Sequence, residues 1–176
     1  INNKINLKFI IKETEKIYVE KINILGKNIT RESVLRNQLE VDEGDPFNEI
    51  LLTKSINNLK ALNFFKNVKY KVRDNELKDA KIIEIEIEEK ATGEIMAGAG
   101  VGTSGGTITV GIKENNYLGK GIKLNTNATL TDDSIKGLFS VTNPNFNNSD
   151  KVVYASVESS EIDKLSVFGY KTNKTG

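Results

Sequence analysis

The chain has 176 residues, of which 38% are hydrophobic and 28% charged, a composition that suits one or two globular domains. Its 25 basic and 24 acidic residues are interspersed and leave a net charge of +1, which argues against nucleic acid as a partner. Cysteine and histidine are both absent, so disulfides, thiol nucleophiles and the commonest general base and metal ligand are excluded, which closes most familiar hydrolytic and redox chemistries. We expect no cofactor.

The first residues have the pattern of a β-strand, because Ile5, Leu7, Phe9 and Ile11 occupy alternate positions. The chain begins at Ile1 without Met, and we interpret it as a piece of a longer protein. No window approaches 18 uncharged apolar residues, which excludes a helical membrane span but not barrel strands of about 9–11 alternating residues.

An α/β pattern occupies residues 16–91. Residues 18–24 alternate as a first strand, and Thr30 is predicted to cap a short helix that runs to about Leu39. After a break, Asn48 is predicted to cap a second helix whose apolar stripe should lie on a sheet. That stripe consists of Leu52, Ile56 and Leu59.

Two further strands complete this unit. Asn63 falls where the second helix must end in a left-handed conformation, which Asn tolerates. Residues 68–73 then alternate apolar with Lys and Arg, and residues 81–88 alternate Ile with Glu, as expected for an antiparallel pair with one wet face. The predicted order is β-α-α-β-β, which by pattern alone fits any small α/β domain.

From Gly93 onward the sequence becomes five alternating strands separated by Gly, Asn and Asp turns. Each strand has one apolar and one polar face, which is typical of a membrane β-barrel, although a soluble sandwich alternates in the same way. Five strands cannot close a barrel of about eight or more, so we expect further strands after Gly176. The apolar residues that define these strands are Ile95, Ala97, Ala99 and Val101; Ile108, Val110 and Ile112; Ile122, Leu124, Ala128 and Leu130; Ile135, Phe139 and Val141; and Val153, Ala155 and Val157.

Several motifs in a fixed order carry a resemblance to a known family. In the first unit they are Tyr18-Val19 to Gly26, Gly44-Asp45-Pro46-Phe47, Leu59-x-x-Leu62-x-Phe64-Phe65-x-x-Val68 and Ile85-x-Ile87-x-Glu89. In the strand series they are Gly98-x-Gly100-x-Gly102-Thr103, Glu114-Asn115-Asn116-Tyr117-Leu118-Gly119-Lys120-Gly121, Ser140-Val141-Thr142-Asn143-Pro144-x-Phe146 and Tyr170-x-Thr172-Asn173-Lys174. The whole succession resembles the BamA family of outer-membrane proteins. One departure is Asn63, where that family usually has Gly.

The resemblance implies a fold class and a domain division. Residues 1–15 would be the end of a preceding POTRA domain, residues 16–91 the last POTRA domain, with an α+β fold, and residues 92–176 the first strands of an antiparallel transmembrane β-barrel. The POTRA domain would lie in the periplasm of a Gram-negative bacterium and the barrel in the outer membrane. Such proteins receive unfolded outer-membrane proteins and insert them into the membrane, with no bond chemistry. A POTRA-barrel transporter, TamA-like or a two-partner secretion pore, is the alternative.

The resemblance also implies two sites. In the closed family barrel the first strand meets the last at a weak seam, where a client strand could pair with it. The residues of that strand are Glu94, Ile95, Met96, Ala97, Gly98, Ala99, Gly100, Val101 and Gly102. Glu43, with Arg36 nearby, is the candidate contact for a BamD-like accessory lipoprotein, and outer-membrane lipid is the third expected partner. The simpler interpretations are that the glycines relieve crowding where the barrel curves and that Glu43 is a solvated turn residue.

Two chemical alternatives fail on local grounds. The glycine-rich run 98–106 is not followed by Gly-Lys-Ser/Thr or by a predicted helix, so it lacks the helix N-terminus of a phosphate-binding loop. Asp132 and Asp133 are adjacent in a turn and lack the ligand spacing of a calcium loop or the separation of a glycosidase pair.

Overall fold

A computed structural model describes residues 8, 10, 15–75, 79–102, 105–149 and 151–176. The strand predicted at residues 5–11, and with it the end of a preceding domain, falls largely outside the described residues. No helix within these ranges is both long and apolar enough to cross a bilayer.

The first unit is a three-stranded sheet covered by two helices. In chain order its elements are β1 (Tyr18–Leu25), α1 (Glu32–Arg36), α2 (Glu49–Ala61), β2 (Phe65–Asn75) and β3 (Ala80–Glu89). The central strand is β3, which pairs parallel with β1 and antiparallel with β2. The predicted β-α-α-β-β order is therefore confirmed, and the parallel pair explains why helices must connect β1 to the rest.

The core of this unit lies between α2 and the sheet. Leu59, Ile83 and Ile85 have no exposed surface, and the predicted stripe of α2 is buried throughout. The side chain of Asn48 accepts hydrogen bonds from the backbone N–H groups of Ile50 and Leu51, at 2.9 and 3.3 Å, so the predicted cap is confirmed. Asn63 has φ of 59° and ends the helix in the predicted left-handed conformation.

The first helix differs from its prediction. It spans only Glu32–Arg36, begins after Arg31, and has no side-chain cap. The next residues continue as single turns, with Leu39 N–H bonded to the Arg36 carbonyl at 3.0 Å. Thr30 does not cap this helix, because its hydroxyl is buried and bonded to residues far away in the sequence.

The second unit is an antiparallel sheet in which six consecutive strands pair in order. Its strands are β4 (Gly93–Gly102), β5 (Gly105–Tyr117), β6 (Ile122–Thr131), β7 (Ser134–Asn143), β8 (Val153–Lys164) and β9 (Tyr170–Thr175). A 3-10 turn, Phe146–Asn148, follows β7, and a short helix α3, Leu165–Phe168, precedes β9. The strand pattern predicted five strands; β9 is the sixth, and it lacks the apolar alternation that would have marked it.

Cross-strand register aligns the apolar residues of this sheet on one face, as predicted. Ile95 is opposite Ile112, Ile112 is opposite Thr126, and Thr126 is opposite Phe139. A neighbouring row on the other face carries Glu94, Lys113, Asn125, Ser140 and Ser156. The apolar face is exposed, so its side chains are not buried by any other layer of the described chain.

Candidate functional site

The strand β4 forms one edge of the six-stranded sheet. It pairs only with β5 among the described residues, and all ten of its residues are exposed. Ile95 and Val101 are 86% and 93% exposed. The structure brings the whole predicted docking set, Glu94 to Gly102, together on this one edge.

The glycines of β4 leave space beside the strand. A Cβ added to Gly98, Gly100 or Gly102 would meet no heavy atom within 4 Å. Among the described residues, therefore, no neighbouring atom requires glycine at these positions. An edge strand leaves backbone N–H and C=O groups without partners along its outer side, and such an edge can accept another strand.

A second feature, the junction between the two units, was not identified as a site from the sequence. Glu89, the last residue of β3, accepts hydrogen bonds from three successive N–H groups of the loop before α1. Its Oε2 is 2.9 Å from Asn28 N and 2.8 Å from Ile29 N, and its Oε1 is 2.7 Å from Thr30 N. One carboxylate therefore fixes the conformation of this loop.

Asn116 connects that loop to the turn between β5 and β6. Its Nδ2 donates to Thr30 Oγ1 at 2.9 Å, and its Oδ1 accepts from Gly121 N at 2.8 Å. Asn116 and Thr30 are 5% and 4% exposed, so both bonds are shielded from water. Because the backbone N–H of Thr30 in turn donates to Glu89 Oε1 at 2.7 Å, hydrogen bonds through Thr30 connect the turn between β5 and β6 to the three-stranded sheet.

Backbone contacts support the same junction. Arg31 N donates to the Gly119 carbonyl at 2.9 Å, in a turn where Leu118, Gly119 and Gly121 all have positive φ. A Cβ on Gly119 would overlap the carbonyl oxygen of Ile29, so only glycine allows this approach.

The linker between β3 and β4 is held on both sides. Lys90 N donates to the Phe64 carbonyl at 3.0 Å, and Asn115 Nδ2 donates to the Thr92 carbonyl at 3.1 Å. The Thr92 hydroxyl donates to Glu114 Oε1 at 2.5 Å. The two units are therefore joined by a dense polar contact.

The hydrogen bonds of this contact also act on the pKa of Glu89. Burial acts to raise the pKa, but hydrogen bonds from the Thr30 hydroxyl and from the N–H groups of Thr30, Ile29 and Asn28 outweigh it, so the pKa is lowered from its ordinary 4.5. A lowered folded-state pKa means that the ionised carboxylate stabilises the fold. This contribution is complete above pH 4.5 and is lost as the pH falls through the folded-state value.

Replacing Glu89 by glutamine should therefore loosen the 28–30 loop at neutral pH but have little effect in acid. We expect a loss of about 1–2 kcal/mol in the opening free energy of these amides at pH 7, because charge-assisted hydrogen bonds become neutral ones. Hydrogen exchange of Asn28, Ile29 and Thr30, compared between the two proteins from pH 7 down to pH 3, measures the effect.

The matched control is Glu86→Gln, in the same strand, where the exposed carboxylate lies opposite Lys69. This variant should leave the loop amides unchanged at every pH. A Glu89→Gln effect that is equally large in acid would contradict the role assigned to the carboxylate charge.

The predicted contact residues Glu43 and Arg36 lie together but have partners inside the domain. Glu43 Oε1 accepts from Ile22 N at 2.9 Å and lies 3.7 Å from Arg36 Nη1. Arg36 also donates from Nε to Glu32 at 2.9 Å, and hydrogen bonds from Lys27 and then Arg36 lower the pKa of Glu32. Both side chains remain partly exposed, at 43% for Glu43 and 37% for Arg36.

Comparisons with known proteins cover both units. A family model described as "POTRA: Surface antigen variable number repeat" matches residues 17–90. Over 173 residues the chain is 28% identical to the outer membrane protein assembly factor BamA of Neisseria meningitidis, which covers 94% of this chain and 22% of that protein. The chain spans between 16% and 22% of the length of the first curated relatives it matches.

Solved structures show the same likeness over both units. The crystal structure of BamA from Haemophilus ducreyi lacking POTRA domains 1–3 is similar with a TM-score of 0.81 and 26% identity, over 92% of this chain and 31% of that one. CdiB from Acinetobacter baumannii gives a TM-score of 0.59 at 16% identity, over 91% of this chain and 32% of that one, which is a likeness of fold alone.

Proposed function

Since this chain belongs to the BamA family of POTRA-barrel proteins, we propose that it is the junction segment of an outer-membrane protein assembly factor, with residues 16–91 as its last POTRA domain and residues 92–176 as the start of its barrel. The protein would fold client barrels into the outer membrane and would catalyse no bond chemistry.

Sequence similarity to BamA across both units is the observation that carries this proposal, and β4, the first strand of the sheet, is the proposed insertion site. An incoming client strand would pair with the outer backbone groups of Glu94 to Gly102 and so exchange hydrogen bonds to water for hydrogen bonds within a sheet. Because Gly98 and Gly100 have no neighbouring side chains to displace, the pairing would meet no steric barrier from this strand. The first strand would thus act as a template for insertion.

The exposed apolar face of the same sheet supports a membrane location. Ile108, Val110 and Ile112 project from one strand with 56%, 47% and 56% of their surface exposed. A contiguous apolar face of this kind is stabilised by lipid and is a liability in water. We infer that outer-membrane lipid covers it, and that the POTRA domain lies on the periplasmic side.

The periplasmic domain would receive unfolded clients and hold an accessory lipoprotein of the BamD kind. We propose Glu43 as its acidic contact, with Arg36 beside it, because both side chains remain partly exposed. Arg36 would orient the Glu43 carboxylate through their internal ion pair.

A POTRA-barrel transporter that exports one partner protein is the competing function. The CdiB likeness favours the transporter only as a fold, whereas the sequence similarity in the BamA relatives extends across both units. An assembly factor would serve many outer-membrane proteins, whereas such a transporter would serve one exported partner.

Depletion of the protein in its host therefore tests the proposal. We expect many different outer-membrane β-barrel proteins to fall together, because each would need the same edge for insertion, and quantitative proteomics of the outer membrane measures this. Messenger levels of the same proteins serve as the control. A loss confined to one exported partner would favour the transporter and overturn the assembly role.

A further inference from the structure

A cleft of about 450 Å³ lies between the POTRA domain and the barrel turns. Residues of α1 and α2 form one wall, and the turns that follow β5 and β7 form the other. Its volume is in the range of ligand-binding clefts. Neither Glu43 nor Arg36 lines the cleft, so it is separate from the candidate contact for an accessory lipoprotein.

The charge of this cleft has a single sign. Arg31, Lys120 and Lys123 line it, and no carboxylate does so among the described residues. None of these three side chains has an ion pair within the described parts of the chain. Glu40, which accepts a hydrogen bond from the lining residue Asn58, is already paired with Lys54 at 3.0 Å.

Six of the described lining residues are asparagine or glutamine. They come from both walls, with Asn37 and Gln38 on the POTRA side and Asn143 and Asn145 on the barrel side. An amide offers both a donor and an acceptor, as a peptide group does. Val34, Leu62 and Phe64 supply apolar surface in the same cleft.

We propose that this cleft binds an extended, acidic segment of polypeptide at the junction between the POTRA domain and the barrel. Lys120 and Lys123 would pair with its carboxylates, and the amides would hydrogen-bond its backbone. The donors and acceptors together favour a peptide over a lipid phosphate, which could use the donors only. The site is separate from the β4 edge and would serve an assembly factor or a transporter alike.

Fluorescence anisotropy with the complete protein in detergent tests this site. The probe is a labelled peptide in which Asp alternates with Thr, and its matched control carries Asn in place of each Asp. We expect the Asp peptide to bind and the Asn peptide to bind about tenfold or more weakly, since surface ion pairs are individually modest but add. Affinity for the Asp peptide should also fall with added salt.

Two variants locate the binding. Lys120→Gln combined with Lys123→Gln should weaken the Asp peptide by about tenfold, and both lysines are exposed, so the fold should tolerate the change. Ala61→Trp should weaken it comparably by filling the cleft from the exposed end of α2 without altering charge. Lys69→Gln combined with Lys71→Gln removes the same charge from exposed positions in β2, outside the cleft, and should leave binding unchanged.

Three outcomes would overturn the proposal. Equal loss in the Lys69 and Lys71 control would mean nonspecific charge attraction, and full binding by Ala61→Trp would place the peptide outside the cleft. Short-chain phosphatidylglycerol is the third probe: if the Lys120 and Lys123 variant loses that lipid but keeps the peptide, the cleft holds a headgroup. Failure of any of these leaves the depletion result unaffected, so the two proposals fail separately.

Discussion

Replacing Gly119 by alanine should detach the turn between β5 and β6 from the POTRA domain. Gly119 has φ of +69°, and its new Cβ would overlap the backbone carbonyl of Ile29. Backbone cannot rotate aside as a side chain does, so the loop or the turn must move. The strained conformation alone costs about 1–3 kcal/mol, and the overlap adds to it.

Hydrogen exchange at Arg31 measures this separation directly, because its N–H donates to the Gly119 carbonyl across the junction at 2.9 Å. We expect its protection to fall by about tenfold to a hundredfold, the equivalent of the strain energy. The amide of Leu52, inside α2, should keep its protection.

The control shares the strain but not the overlap. Gly169 has φ of +74°, and a Cβ there would meet no atom within 4 Å. Gly169→Ala should therefore leave Arg31 protected. If Gly119→Ala also leaves Arg31 protected, the junction is not held by this close approach.

The features predicted correctly from sequence depend on neighbouring residues. Asn48 caps α2 through the first N–H groups of its own helix, and Asn63 ends that helix through its own backbone angle. The alternating faces of the strands follow from a period of two, which tertiary context leaves unchanged. The same period of two marks β4 as a strand, whereas its role in docking a client stays a prediction.

The features missed depend on residues far apart in the chain. Thr30 has the residue type of a helix cap, yet its partners are Glu89 and Asn116, which lie 59 and 86 residues away. No local pattern could reveal that a buried junction competes for its hydroxyl. The strand β9 was missed for a different reason, since its sequence YKTNKT has no apolar alternation and pairing with β8 defines it.

The junction and the edge strand are physically continuous. The strand β3 ends at Glu89 and β4 begins at Gly93, so the residue that fixes the 28–30 loop is separated from the free edge only by the linker 90–92. Because this linker is hydrogen-bonded to both units, a displacement of the POTRA sheet would be transmitted through it to β4. Variants of the edge should therefore be compared with variants that leave the junction intact.

Replacing both Gly98 and Gly100 by valine should slow client insertion while leaving the junction intact. Valine narrows the backbone freedom of β4 and raises its preference for a paired strand, at about 1 kcal/mol for each glycine replaced. The seam between the first and last barrel strands would then be stabilised relative to the unpaired edge, which must form before a client strand can pair with β4. We expect the insertion rate to fall by about tenfold or more, measured by folding of a client barrel into vesicles that contain the complete protein.

Gly137→Val is the matched control for the edge. It lies in β7, between two paired strands, and a Cβ there also meets nothing within 4 Å. The same side chain is thus added in the same open space, but away from the edge, and insertion should proceed at the normal rate. Equal slowing by both changes would mean that valine acts on the whole sheet, whereas no slowing by the β4 pair would remove the first strand from the insertion step. Because neither site contacts the POTRA domain, Arg31 should keep its protection in both variants, which separates an edge effect from a junction effect.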